Sequence, residues 1–142
     1  MIETISGIVT AIMIIVLSRL LSKYFTTKLF AATILVAIAF IYVGFALKDN
    51  PASLIILEAG IALTLYFVAI IGYTRNNLLI AYGIIFHGVW DIFHYQGFLI
   101  GTEIPDYWPS FCFIIDVIDG VYFLMIFFKS RQIAHRTIDR IN

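Results

Sequence analysis

Leu78-Leu-Ile-Ala-Tyr-Gly-Ile-Ile-Phe-His87-Gly-Val-Trp90-Asp91-Ile-Phe-His94-Tyr-Gln-Gly-Phe-Leu-Ile-Gly101 is long and apolar enough to cross a bilayer, yet it carries two imidazoles and a carboxylate. At about 100° per residue, His87, Asp91 and His94 fall within about 60° of arc on one helical face, with Trp90 on the same stripe. The run reads as a spanning helix with one chemically functional face.

The rest of the chain agrees with a membrane setting. Of its 142 residues, 62% are hydrophobic and 13% charged, far from the balance of soluble domains. Four further runs have spanning length, Ile5 to Leu21, Leu29 to Leu47, Ser53 to Tyr73 and Phe111 to Phe128. The expected fold class is therefore all-α: an integral membrane bundle of five transmembrane helices, one domain over residues 1–128. Residues 129–142 form a polar, basic tail. Nine basic and nine acidic residues cancel, so no basic field points to nucleic acid. Cys112 is the only cysteine, which excludes an internal disulfide and leaves the redox compartment open.

Basic residues set the expected orientation. With the N-terminus outside, Arg19, Lys23, Lys28, Arg75, Lys129, Arg131, Arg136 and Arg140 are cytoplasmic, and only Lys48 is external. The chain is then expected in a cytoplasmic (plasma) membrane of bacterial type, with a cytoplasmic C-terminus and the lipid bilayer as its first partner. In this frame Glu58 lies roughly 8 Å below the outer boundary, and Asp116 and Asp119 roughly 8 and 12 Å below theirs. His87, Asp91 and His94 climb from the midplane outward. All six groups occupy the outer half, although only Lys and Arg were used to orient the chain.

A lone Asp near a helix centre costs about 2.5 to 3.5 kcal/mol on insertion scales. Four carboxylates without a Lys or Arg at their depth therefore require bound cations or protons. His with carboxylates suits zinc, iron or manganese, with zinc first, better than a soft ion. The expected metal ligands are His87, Asp91, His94, Asp116 and Asp119, with Asp91 and Glu58 as candidates for the general base. Hydrolysis of a lipid or amphipathic substrate entering from the outer leaflet follows, with Glu103 to Pro109 as a lid. Two other readings compete: proton- or cation-coupled transport, and a non-catalytic subunit whose polar cluster fastens the helices. One haem iron cannot be flanked by His87 and His94, which stand about 10 Å apart along one helix.

The pattern His87-Gly88-x-Trp90-Asp91-x-x-His94, followed by Pro105-x-Tyr107-Trp108-Pro109-x-Phe111-Cys112-x-x-x-Asp116-x-x-x-Gly120, resembles a family of small uncharacterised polytopic membrane proteins. This resemblance covers most of the chain and implies no particular activity. A looser similarity joins the chain to intramembrane metal hydrolases of the ceramidase and progestin-receptor type, which hold zinc among helices with His and Asp. The chain departs from them in having five spans rather than seven and two intramembrane histidines rather than three. The analogy implies that such chemistry is feasible in this setting.

Overall fold

The computed structural model describes residues 2–138; the end of the expected tail, with Arg140, lies outside the described residues. Five helices, α1 (Ile2–Leu21), α2 (Thr27–Asp49), α3 (Ala52–Thr74), α4 (Leu78–His94) and α5 (Trp108–Ile138), make up nearly all of it. Each is long and apolar enough to cross a membrane, α4 with the short turn that follows it. No strand occurs among the described residues.

Local chemistry sets the boundaries. Thr26 Oγ1 accepts the Leu29 N–H at 3.2 Å and caps α2, and Asn76 Oδ1 accepts the Leu78 N–H at 3.1 Å as α4 begins. Pro51 precedes α3, where its missing N–H costs nothing. The fourth helix is shorter than the sequence suggests: it stops at His94, not Gly101. Gln96 (φ 51°) and Gly97 (φ 67°) take left-handed conformations, and the Phe93 carbonyl then accepts N–H groups from both Leu99 and Ile100 at 3.0 and 3.1 Å. A non-glycine residue at positive φ is strained, so surrounding structure must hold Gln96 there. At the other boundary, α5 crosses residue 128 without a break and runs on to Ile138.

The helices alternate in direction, which gathers the loops after α2 and α4 at one end, here the loop end, and the tight turns at the other. Asn50 Oδ1 accepts the Glu103 N–H at 2.9 Å across the loop end, while Arg131 bonds to Asn76 across the turn end. Helix α4 packs most extensively on α5, α2 on α3, and α1 on α5. Close approach of α4 to α5 needs Gly120, where a Cβ would stand 2.5 Å from Ile85 Cγ1 and 3.3 Å from the Ala81 carbonyl oxygen. The apolar core, including Leu35, Ile80, Ile84 and Phe123, occupies the interior away from the polar residues, and a smaller group of Tyr42, Trp90 and Ile100 lies among them.

Candidate metal centre

His87, Asp91 and Asp116 offer ligand atoms within 4.8 Å of one another, all three residues buried. Their placement follows from two helix periods and one glycine. His87 and Asp91 are one turn apart on α4, and Gly88 between them leaves its face open to α5, with its hypothetical Cβ 3.2 Å from Asp116 Cβ. His87 Nδ1 lies 2.6 Å from Asp116 Oδ2 and 3.8 Å from Asp91 Oδ1. Tyr42, from α2, donates its hydroxyl to Asp91 Oδ1 at 2.7 Å.

The hydrogen-bond ledger of this group is incomplete. His87 Nε2 and Asp91 Oδ2 are buried and make no close hydrogen bond among the described residues, with only weaker contacts from His87 to the Ile38 backbone and from Asp91 to the Asp116 carboxyl. In a low-dielectric interior such atoms are costly unless a ligand, ion or proton engages them. The donor set, one imidazole and two carboxylates, is that of a borderline or hard divalent cation. A cation seated among the three would replace the proton that joins Nδ1 to Asp116.

A second group lies nearer the loop end. His94 Nε2 is 2.7 Å from Glu58 Oε1, which also accepts the Thr102 hydroxyl at 2.8 Å; Trp90 Nε1–H donates to Glu58 Oε2 at 3.2 Å. The other ring nitrogen, His94 Nδ1, donates to the Trp90 carbonyl at 3.1 Å. Because a carbonyl only accepts, Nδ1 carries a proton, and a second proton must lie between Nε2 and Glu58. Imidazolium facing carboxylate, or imidazole facing carboxylic acid, leaves this pair without net charge. Tyr42 stands between the two groups, its ring centroid 4.3 Å from that of His94 and 5.7 Å from that of His87.

The six ionisable residues singled out in the sequence are thus all buried, but five of them form two clusters rather than one site. Asp119, 0% exposed, belongs to neither: it lies one turn beyond Asp116 on α5, and both its carboxylate oxygens lack a hydrogen-bond partner among the described residues. Cys112 is a buried free thiol one turn before Asp116. With Glu58 against His94 and Asp116 against His87, the demand for neutralisation falls mainly on Asp91 and Asp119. Tyr42 and Thr102 are the site residues that sequence reading missed. Tyr42, the one tyrosine within the apolar α2, was the available signal.

Two cavities reach these clusters. A polar vestibule of about 580 Å³ at the loop end ends on His94 and Thr102, and an apolar crevice of about 260 Å³ between α4 and α5 has Asp91 at its floor.

Fold and site together define an integral membrane protein of five apolar helices with a buried His/Asp cluster able to hold a metal ion. The chain belongs to a family of unknown function, DUF6010, which matches residues 2–130. No curated protein and no solved structure matches it.

Proposed function

We propose that this protein is a metal-dependent membrane hydrolase, with zinc favoured over iron or manganese, that acts on a lipid or amphipathic substrate in the outer half of a bacterial-type cytoplasmic membrane. The observation that carries the reading is the buried donor set itself: His87, Asp91 and Asp116 bring one ligand atom each within 4.8 Å of one another. Charge supports the orientation in this reading: Arg19, Lys23, Lys28, Arg75, Lys129 and Arg131 belong to the turn end, as the positive-inside rule expects of a cytoplasmic face.

In this reading His87, Asp91 and Asp116 hold the metal, which supplies Lewis-acid activation of a carbonyl and of water. Tyr42 orients Asp91 through its 2.7 Å hydrogen bond. His94, expected as a ligand, instead serves with Glu58 as the proton-holding pair, and Glu58 keeps the general-base role. Asp119 stands in reserve one turn deeper, as a further ligand or a protonated acid. The three spaced helices α2, α4 and α5 exclude water from the centre.

Metal analysis of protein purified without chelators tests the proposal. About one metal per chain is expected, with loss in His87→Ala and Asp116→Asn. A wild-type content below about 0.2 per chain, unchanged in His87→Ala, overturns it. Flux of the metal through proteoliposomes without hydrolysis of any lipid would assign the same residues to transport.

A further inference from the structure

Lys28 Nζ stands 4.6 Å from the centroid of the Tyr73 ring, which joins the first turn of α2 to the last turn of α3. Tyr73 also lines a groove of about 410 Å³ between these two helices, so the ammonium group marks its turn-end mouth. Ala32 and Ala69 are buried at the floor, and Leu29, Ile70 and Tyr73 are exposed along the walls. Thr33 and Thr74 line it too, but their hydroxyls donate back to the Leu29 and Ile70 carbonyls at 3.0 and 2.9 Å. The groove is apolar along its length and positive at one end.

We propose that this groove binds one anionic glycerophospholipid of the leaflet at the turn end, its acyl chain between α2 and α3 and its phosphodiester group on Lys28. The inference is independent of the hydrolase reading, whose metal group stands on α4 and α5. Both groove helices span the membrane, so an open apolar trough between them meets hydrocarbon rather than water. Charge then selects the head group. Arg19, Lys23, Lys28, Arg75, Lys129 and Arg131 belong to the turn end, and no Asp or Glu does among the described residues. Arg19 is engaged by the Tyr122 hydroxyl and Arg131 by Asn76, whereas Lys28 meets an aromatic face and keeps N–H donors for an anionic oxygen. Lys28 and Tyr73 also stand at the ends of their spans, the level where lipid phosphates lie. Phosphatidylcholine offers the same phosphate beside a quaternary ammonium, which the surrounding basic residues repel.

The bundle contains its own control. The apolar crevice of about 260 Å³ between α4 and α5, walled by Ile92, Phe113 and Ile114, has no Lys or Arg along its lining. A lipid chain entering it gains nothing from an anionic head group.

Full-length protein in phosphatidylcholine nanodiscs containing phosphatidylglycerol tests this, with a diazirine-bearing acyl chain placed on either lipid in turn. Labels mapped by peptide mass spectrometry are expected on residues 29–37 and 69–74 at about ten times the level from phosphatidylglycerol as from phosphatidylcholine at equal concentration, a ratio equivalent to about 1.4 kcal/mol. The α4–α5 crevice should label equally from both. Lys28→Gln should reduce the groove's ratio to about two or less, Lys28→Arg should keep it, and Lys23→Gln in the α1–α2 loop should change it by less than about twofold. Val36→Trp, at a half-buried lining position, should plug the groove and cut labelling by either lipid about tenfold. Melting temperatures establish that each variant is folded. Equal labelling by the two lipids, a ratio unchanged by Lys28→Gln, an equal fall in Lys23→Gln, or competition by millimolar inorganic phosphate overturns the proposal. So does an unlabelled groove whose Val36 peptide cross-links instead to a second copy of the chain. Metal content is measured on the same samples: selective labelling without metal removes the hydrolase reading and keeps the lipid site, whereas metal without selective labelling does the reverse.

Discussion

His94 Nε2 and Glu58 Oε1 lie 2.7 Å apart, and the Trp90 carbonyl on the opposite ring nitrogen forces a proton into that contact. The two residues are therefore a single electrostatic unit, neutral as a pair and expensive to split. Glu58→Leu alone should destabilise the protein by about 3 to 5 kcal/mol, the range for breaking a buried pair from one side. Replacing both by leucine should cost less than the sum of the single changes. Equilibrium unfolding in mixed micelles gives both values, and strict additivity would contradict the unit.

Tyr42→Phe removes one hydroxyl while keeping the ring between His87 and His94. Loss of the bond to Asp91 Oδ1 should lower stability by about 1 to 3 kcal/mol, since a buried carboxyl group loses its 2.7 Å donor. Zinc affinity should fall by about 10- to 100-fold, as it does when a group orienting a ligand is removed. Competition with a chromophoric chelator measures the second effect.

Metal uptake should release protons. The His87–Asp116 contact at 2.6 Å holds one, and a cation among the three ligands displaces it. Affinity should therefore rise with pH, and calorimetric titration in buffers of different ionisation enthalpy should show a different apparent heat in each. His87→Gln, which removes a ligand, should abolish the binding heat in every buffer.

Gly120→Ala should be among the most damaging small substitutions in the chain. Its Cβ would meet Ile85 Cγ1 at 2.5 Å and the Ile85 backbone nitrogen at 3.2 Å, so α4 and α5 must separate, at a cost of about 1 to 3 kcal/mol. Gly44→Ala has nothing within 4 Å and should be neutral or slightly stabilising through helix propensity. Melting temperatures of the two variants provide the comparison.

The division between what was legible in the sequence and what was not follows from the range of the forces involved. Helix existence follows from local composition, so five spans could be read directly, as could the sharing of one face by His87 and Asp91. The end of α4 could not, because Gln96 gives no advance sign that it will take a positive φ. His94 was expected beside His87 as a ligand on angular grounds. Seven residues of helical rise, roughly 10 Å, set it at another level, where Glu58 and Thr102 arrive from α3 and the α4–α5 loop. Which helix faces which is a property of packing, and only packing brings Tyr42 against Asp91.

Asn50 grips two parts of the chain at once: Oδ1 holds the Glu103 N–H at 2.9 Å, and Nδ2 donates to the Phe45 carbonyl at 3.3 Å. One amide thus latches the segment above the vestibule to the end of α2, so that roof and second helix travel as one piece. The α4–α5 seam beside Ile92 and Ile114 carries no such side-chain tie to the loop among the described residues, so the two faces of the polar clusters are held with unequal firmness.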